Sequence, residues 1–373
     1  IALPARRAFV ETLHGCLLLG AAAVHVDLRL RAAARRARTA GCAAVICEPL
    51  AGLADTGASL DGTHDLDATA IVVHTSGTTR GPRPVELTYG NWLWSALGSA
   101  VALGVDRDDA WLCALPLSHV AGLSILVRSA IYATGVVLHE RFDADAAADE
   151  LATRATLVSV VPTTLQRILD AGLRHPPRLR AALVGGAPIP RSLLERATAA
   201  GVPTVSTYGL TEACSQVTTG GPPLFCTRVR IGPAREILVR GPTVAPGALH
   251  EDGWLHTGDE GALDAHGNLT VTGRAGDTII TGGENVEPAE VEAVLESHPA
   301  VAEAAVHGVP DPAWGERVVA TVVLKPGETA TEEDLRGYCR VRLAGYKLPR
   351  VYRFSRELPR TVSGKLLRRF LEE

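Results

Sequence analysis

Up to residue 270, short runs of hydrophobic and β-branched residues alternate with longer segments of helical character. Short apolar runs between turn residues are typical of buried strands. Strands that alternate with helices in this rhythm predict parallel βαβ units, and therefore a large α/β domain of parallel-rich sheets flanked by helices. The predicted strands are 70–73, 110–115, 135–138, 156–161, 180–184 and 202–206, and the predicted helices include 91–103, 144–154 and 191–200.

The pattern changes beyond Gly253. Gly267-Asn268 predicts a hairpin turn before a short strand at 268–273, and a stretch rich in glycine and charge follows. A smaller α+β domain is predicted from a helix at 288–297, strands at 301–308 and 318–324, and a helix at 331–343. We place the domain boundary within 273–277 and expect an N-terminal domain of residues 1–274 and a C-terminal domain of residues 275–373.

Composition narrows the class of protein. Of the 373 residues 46% are hydrophobic and 21% are charged, as in an ordinary globular protein. The net charge of −4 and the absence of a basic run of five residues argue against a nucleic-acid partner. The arginine- and alanine-rich segment 29–38 predicts an exposed helix face. The apolar run 16–24 is too short to span a bilayer and lacks the flanks of a signal peptide, so no membrane segment is expected.

The seven cysteines are scattered, odd in number and without a C-x-x-C pair. This spacing argues against a secreted disulfide framework and against a zinc site. We therefore expect free thiols and a reducing, cytoplasmic location.

The segment T-S-G-T-T-R-G-P-R-P-V at 75–85 follows a predicted strand. Hydroxyls and backbone amides in a glycine-containing turn can hold phosphate oxygens, and an arginine adds positive charge. The segment does not match G-x-x-x-x-G-K-[ST], which argues against a kinase or GTPase. By itself it could also be an ordinary polar turn. The candidate phosphate-binding residues are Thr75, Ser76, Gly77, Thr78, Thr79 and Arg83.

Other chemically suggestive segments also follow predicted strands, at 185–188 and 208–212. Ligands of parallel sheets bind beyond the carboxyl ends of the strands, so we expect these segments to be loops at one edge of the sheet.

Together these motifs resemble the adenylate-forming superfamily, which includes acyl- and aryl-CoA ligases, adenylation domains and luciferases. The loop at 75–85 is similar to the family signature T-S-G-T-T-G-x-P-K-G. Five further segments match in the family's order: G-G-A-P at 185–188, S-T-Y-G-L-T-E at 206–212, G-W-L-H-T-G-D at 253–259, G-R-A-G-D-T-I-I-T-G-G-E-N-V-E-P at 273–288 and P-R-T-V-S-G-K-L-L-R at 359–368.

The resemblance implies an ATP site. Glu212 would hold Mg²⁺, and the Thr211 hydroxyl would bind the α-phosphate. Asp259 would accept both ribose hydroxyls, and Arg274 would support the ribose or phosphate side, although a buried structural ion pair is an alternative for these two. The remaining nucleotide-binding residues implied are Gly185, Gly186, Ala187, Tyr208 and Gly209.

The resemblance also implies a mobile C-terminal domain that serves two half-reactions. Lys365 would bridge the carboxylate and the α-phosphate while acyl-adenylate and pyrophosphate form. Rotation at the hinge, Gly276 and Asp277, would then remove Lys365, so that coenzyme A can displace AMP. The residues implied at the thiol channel are Gly282, Gly283 and Glu284.

The segments 116–132, 136–143, 211–219, 282–292 and 314–316 resemble those of the o-succinylbenzoate–CoA ligases of menaquinone synthesis. His119 would border the acid and gate its approach to ATP, unless it is a structural histidine. A second carboxylate on the acid needs hydroxyls, amides or a cation at the far end of the pocket. The candidates there are Arg128, Ser215, Gln216 and Thr218, with Gly209 beside them; a surface role for Arg128 is equally open.

Three positions depart from the family signature: Arg83 replaces a lysine, and Arg80 and Pro84 replace glycines. The region before the phosphate loop is short for the family, so we expect a compact member. We expect an o-succinylbenzoate–CoA ligase that uses ATP, Mg²⁺ and coenzyme A. The alternatives are another acyl- or aryl-CoA ligase, a stand-alone adenylation enzyme, or a non-catalytic acyl-adenylate sensor. A homodimer is left open.

Overall fold

The computed structural model describes residues 1–30, 32–50, 62–75, 83–274, 277, 279–281, 284–312, 314–360 and 366–371. The chain forms two compact units. Unit 1 comprises residues 1–186, 197–229 and 238–256, and unit 2 comprises residues 187–196, 230–237 and 257–373.

The described elements confirm the predicted α/β class, since every predicted strand and helix is present with its ends moved by a few residues. The helices are α1 (Arg7–Leu18), α2 (Ala32–Thr39), α3 (Tyr89–Leu103), α4 (Val120–Tyr132), α5 (Ala144–Thr153), α6 (Pro162–Asp170), α7 (Arg191–Ala199), α8 (Pro288–Glu296) and α9 (Glu332–Arg340). The strands are β1 (Ala23–Val24), β2 (Thr69–Thr75), β3 (Arg83–Thr88), β4 (Ala110–Cys113), β5 (Gly135–Leu138), β6 (Leu157–Val160), β7 (Ala181–Val184), β8 (Thr204–Leu210), β9 (Ser215–Thr219), β10 (Arg228–Ile231), β11 (Glu236–Arg240), β12 (Leu255–Leu263), β13 (Leu269–Arg274), β14 (Ile279–Thr281), β15 (Glu284–Val286), β16 (Val301–Asp311), β17 (Gly315–Leu324) and β18 (Val351–Phe354).

Unit 1 is built around a six-stranded sheet in the order β5-β4-β6-β7-β8-β9. Its first five strands are parallel, as predicted, and the buried apolar side chains of β4, β6 and β7 explain why those three read as short apolar runs. The last strand, β9, runs antiparallel to β8. A three-stranded sheet in the order β1-β2-β3 shares a hydrophobic core with α4, in which Leu123 and Ile125 are fully buried.

The pairing of β8 with the antiparallel strand β9 contradicts one prediction. Tyr208 to Leu210 were expected in a loop beyond a strand, but they belong to β8 and pair with β9. The prediction was wrong because the strand continues past the parallel part of the sheet to meet a partner that returns from a tight turn. Only Thr211–Ala213, a single 3₁₀ turn, lies beyond the strand end.

Unit 2 contains a mixed sheet in the order β15-β14-β17-β16, with β18 added parallel to β17. Its hydrophobic core joins α8 and α9 to this sheet through Val291, Leu295, Val306, Val318 and Leu335, all of them nearly inaccessible. A further sheet has the order β10-β11-β12-β13.

The segment 29–38 forms most of α2, whose described side chains are exposed or half-buried, as predicted. Arg29 precedes the helix and pairs with Asp27 instead. Within the ranges given above, no helix has both the length and the apolar character needed to cross a bilayer. All seven cysteines are free thiols, which confirms that expectation.

Candidate active site

A tight turn between β8 and β9 carries Thr211 and Glu212. A Cβ on Gly209 would lie 1.6 Å from the carbonyl oxygen of Ser215, so the two strands approach as closely as they do only because residue 209 is glycine. Cys214 and Ser215 have positive φ angles of 51° and 88°, which complete the reversal. The two candidate side chains are therefore held on a rigid turn.

Hydrogen bonds from two other segments of unit 1 also hold this turn in place. The amide of Ala245 donates to the carbonyl of Glu212 at 2.8 Å. The Ser95 hydroxyl on α3 donates to the carbonyl of Cys214 at 2.6 Å. Among the described residues, the Glu212 side chain has no hydrogen-bonding or ion-pair partner, so its carboxylate is available to a ligand.

Arg128 lies on α4 and is 3% exposed, so the surface role left open for it is wrong. Its guanidinium donates to the Ser124 carbonyl at 2.9 Å and to the Ser124 hydroxyl at 2.5 Å. It also donates to Ser99 at 3.0 Å and to Gln216 at 3.1 Å. One face of the guanidinium lies 4.8 Å from the centre of the Trp111 ring.

All of these partners are neutral. Within the described part of the chain no carboxylate pairs with Arg128, and burial lowers the pKa of its guanidinium. Arginine nevertheless stays protonated in proteins. A buried cation without a counterion is costly, and an anion beside it would lower that cost.

The other acid-pocket candidates lie on β9 beside this cation. Gln216 accepts from Arg128 through its oxygen and donates to the Thr219 hydroxyl at 2.7 Å. The Ser124 hydroxyl lies 3.5 Å from that of Ser215. Thr218 is buried, and its carbonyl accepts from Thr207 at 2.8 Å. The structure thus links Arg128, Ser215 and Gln216 into one network.

Sequence reasoning missed the serines and the tryptophan of this network. Ser99, Ser124 and Trp111 carry no motif of their own. Helical spacing could have found Ser124, since it precedes Arg128 by one turn of α4.

His119 occupies the N-cap of α4 without a side-chain capping bond. Burial lowers the pKa of its imidazole, so the ring is neutral at pH 7. The preceding hydroxyl, Ser118, accepts from Arg29 at 3.3 Å, and the Arg29 guanidinium in turn donates two hydrogen bonds to Asp27. This ion pair fixes the segment before the helix, and sequence reasoning did not predict it.

The phosphate loop is described only at its two ends. Thr75 closes β2 and Arg83 opens β3, and the two are partners in the antiparallel pair. The Thr75 hydroxyl donates to the Arg83 carbonyl at 3.4 Å. The candidates Ser76, Gly77, Thr78 and Thr79 lie outside the described residues, as do Gly276, Gly282, Gly283 and Lys365.

The predicted adenine-side loop follows β7. A Cβ on Gly185 would lie 2.4 Å from the Thr207 carbonyl, so only glycine fits beside β8. Gly186 has a φ angle of +78°, and Ala187 follows it. The segment therefore turns away from the sheet at its carboxyl edge.

In unit 2, Asp259 on β12 and Arg274 on β13 are cross-strand partners. The Arg274 Nε lies 3.7 Å from an oxygen of Asp259, and the two side chains are 45% and 19% exposed. The pair is therefore present, and neither side chain is fully buried. The Asp259 amide donates to the Thr257 hydroxyl at 3.1 Å.

Two further candidates of unit 2 lie on either side of β14. Asp277 accepts from Arg368 at 3.2 Å. Glu284 opens β15, is exposed, and pairs with Thr281 in register.

Comparisons with known proteins bear on this site. Residues 1–249 match the family model of the AMP-binding enzymes, and residues 290–365 match that of the AMP-binding enzyme C-terminal domain. The 2-succinylbenzoate–CoA ligase of Bacillus licheniformis is 44% identical over 334 residues, which span 81% of this chain and 70% of that protein.

Two solved structures of o-succinylbenzoate CoA synthetase from Bacillus subtilis are also similar, each with a TM-score of 0.88 and 36% identity. One is a complex with the acyl-adenylate intermediate; the alignment covers 100% of this chain and 87% of that one. The other is a complex with ATP and a magnesium ion, with 100% and 88% covered.

Proposed function

The chain belongs to the family of AMP-binding enzymes, and on that premise we propose that it joins 2-succinylbenzoate to coenzyme A at the expense of ATP. The carboxylate first attacks the α-phosphorus of ATP to form acyl-adenylate and pyrophosphate. The thiol of coenzyme A then displaces AMP to give the thioester. The observation that carries the choice of acid is the buried guanidinium of Arg128, whose partners in the described part of the chain are all neutral.

Adenylation brings two anions together, so catalysis depends on positioning and on charge neutralisation. Glu212 fits a magnesium site because its carboxylate lies on a rigid turn and has no partner among the described residues, and Mg²⁺ prefers one or two carboxylates together with phosphate oxygens. The ion would neutralise charge on the phosphates. Thr211 donates its hydroxyl to the α-phosphate, and Lys365 bridges the attacking carboxylate and the α-phosphate. Asp259 holds the ribose.

The acid has a second carboxylate, and Arg128 is the group that receives it in this proposal. A buried guanidinium with only neutral partners gains a counterion when the diacid binds. Hydroxyl and amide groups of Ser124, Ser215 and Gln216 surround the same point and can complete the hydrogen bonds. An acid that lacks the second carboxylate leaves the cation unpaired, so the pocket selects against it.

The second half-reaction uses unit 2. In this proposal rotation of the chain at Gly276 and Asp277 withdraws Lys365, and Gly282, Gly283 and Glu284 border the path of the thiol. The free thiols support a reducing, cytoplasmic compartment, where coenzyme A is available.

Release of AMP against a panel of acids tests the function. The panel contains 2-succinylbenzoate, benzoate and a straight-chain fatty acid, each with and without coenzyme A. We expect AMP release and a CoA thioester with 2-succinylbenzoate alone. If a thioester forms only with another acid, 2-succinylbenzoate is not the substrate. No pyrophosphate exchange with any acid would contradict the enzyme class and favour a sensor.

Arg128→Met tests the role of the cation. The loss of one charge-assisted hydrogen bond predicts an increase of about tenfold to a hundredfold in KM for 2-succinylbenzoate. The control is Arg167→Met, which removes an exposed arginine that stacks on Phe142 at 4.8 Å in the same unit. An unchanged KM in Arg128→Met would contradict the assignment.

A further inference from the structure

One arginine near the C-terminus joins separate elements of unit 2. The Nη2 atom of Arg368 donates to both carboxylate oxygens of Glu292 on α8, at 2.7 and 2.9 Å. Its Nε donates to the Val306 carbonyl on β16 at 3.1 Å. Its Nη1 donates to Asp277, between β13 and β14, at 3.2 Å. The planar guanidinium thus binds a helix, a strand and a turn at the same time.

The three contacts differ in burial. Glu292 is 8% exposed and also accepts from the Val306 amide at 2.8 Å. The contact between Glu292 and Arg368 is therefore held rigidly inside unit 2. The Asp277 side chain is 38% exposed. Its contact with Arg368 can therefore be lost without leaving a buried charge unpaired, and Arg368 would remain on Glu292.

Arg368 lies three positions after Lys365 in the sequence. The segment that contains Lys365 is bounded by a β-bridge between Arg360 and Leu366, and the Leu367 amide donates to the Pro359 carbonyl at 2.9 Å. Arg360 is itself held by Glu303 at 2.6 Å. The residues on both sides of 361–365 are therefore anchored to unit 2, and on the C-terminal side the anchor is Arg368.

We propose that Arg368 is a positioning residue that ties the segment following Lys365 to Asp277. The backbone conformation at Asp277 then determines how well Lys365 is positioned for adenylation. The inference rests on the proposed function, in which Lys365 acts only in adenylation. The buried contacts with Glu292 and Val306 give the arginine its place. The accessible contact with Asp277 is the one that responds to a change of the backbone there.

The test is Asp277→Asn, which keeps the shape of the side chain and removes its charge. We expect pyrophosphate exchange to fall about tenfold, the equivalent of one charge-assisted hydrogen bond. Single-turnover thioester formation from supplied acyl-adenylate should stay within about twofold of the unsubstituted protein. The control is Glu332→Gln, which breaks an ion pair with Arg336 on α9 of the same unit and should change neither half-reaction.

Arg368→Lys supplies a second variant, since a lysine keeps the charge but its compact ammonium cannot span acceptors on three separate elements. It should reproduce the loss of exchange. Equal losses in both half-reactions, or no loss in either variant, would overturn the proposal.

A measurement that does not depend on activity separates this inference from the proposed function. Hydrogen exchange of a peptide covering 366–371 should be faster in Asp277→Asn than in Glu332→Gln, with melting temperatures that agree within about 2 °C. If no acid supports exchange in the unsubstituted protein, the proposed function fails while this readout still tests the coupling. Unchanged protection of the peptide would overturn it.

Discussion

Gly209 shows how strictly a single residue can determine the geometry of the site. Gly209→Ala would place a methyl carbon 1.6 Å from the Ser215 carbonyl oxygen, and this contact can be relieved only if β8 and β9 separate. We expect a destabilisation of about 1 to 3 kcal/mol and a loss of most adenylation activity, because Thr211 and Glu212 follow directly on the turn. Chemical denaturation and pyrophosphate exchange measure the two effects.

Gly15→Ala is the matched control for this substitution. Gly15 lies inside α1, and nothing lies within 4 Å of the position its Cβ would take. The variant should be as stable as the unsubstituted protein or more so, since alanine favours a helix over glycine by about 1 kcal/mol. Equal stability of the two variants would contradict the steric argument.

Glu296 gives unit 2 a pH-dependent stability. Burial raises the pKa of its carboxyl from 4.5 to about 7, even though the Ala304 amide donates to it at 3.3 Å, and the neighbouring Glu292 adds to the rise. The folded protein then holds a proton that the unfolded chain has lost, so stability falls as pH rises from 4.5 to about 7.

Glu296→Gln should therefore raise the melting temperature at about pH 8 and change it little at about pH 4. Thermal unfolding across this range is the measurement. Glu333→Gln, at an exposed position on α9, controls for the loss of one negative charge. A shift of the same size at both pH values would argue against an ionisation of Glu296.

At the scale of single residues, the sequence indicated which residues are candidates for the site, but not how deeply they are buried or which side chains they contact. Glu212, Asp259 and Arg274 could be proposed as candidates because each belongs to a contiguous motif. The burial of Arg128 could not, because its partners Ser99 and Gln216 are 29 and 88 residues away. No local pattern reports contacts over such separations.

Among the elements, the start of α3 depends on one side chain. Thr88 and Asn91 form a reciprocal capping box, and the Asn91 amide also donates to the carbonyls of Pro242 and Val244 at 2.8 and 3.0 Å. Asn91→Ala should cost more than an ordinary cap, about 2 kcal/mol or more, because buried backbone groups lose their partner.

Asp143→Ala is the comparison for this prediction. Asp143 caps α5 through a single bond to the Ala146 amide at an exposed position, so its loss should cost about 1 kcal/mol. Urea unfolding of both variants gives the difference. A cost for Asn91→Ala no larger than that for Asp143→Ala would show that the long-range bonds contribute little.

The sequence predicted an element more accurately when one of its faces is exposed to solvent. Helix α5 has one buried face and an aspartate cap, and the sequence located it within a residue. Helix α4 is buried on nearly every side from Val120 to Ser129, so it has no polar face and was not predicted as a helix. The extension of β8 to Leu210 was missed because its partner β9 follows a turn formed by non-glycine residues with positive φ.

For the whole molecule, the sharpest prediction separates the two half-reactions. Lys365→Ala should lower acyl-adenylate formation by about a hundredfold or more, because it removes the cation between two anions. Thioester formation from supplied acyl-adenylate should change far less. Pyrophosphate exchange and single-turnover thioester formation measure the two steps.

Lys325→Ala is the control, since Lys325 is another of the three lysines of the chain and, among the residues that the structure describes, donates to the Pro299 carbonyl alone, at the surface. Equal losses in both steps for Lys365→Ala would contradict the two-state scheme. At this scale the order of the motifs was enough to predict the family. The side chains that we propose select the acid are brought together only in the folded sheet.

The contact between Arg128 and Trp111 also gives the protein an optical reporter. The fluorescence of a buried indole responds to the electric field along its ring, and the charged Arg128 guanidinium lies 4.8 Å from the centre of that ring. An acid that neutralises Arg128 will change this field. Binding can therefore be followed by emission, without label, turnover or coenzyme A, and Trp111→Phe should abolish the signal.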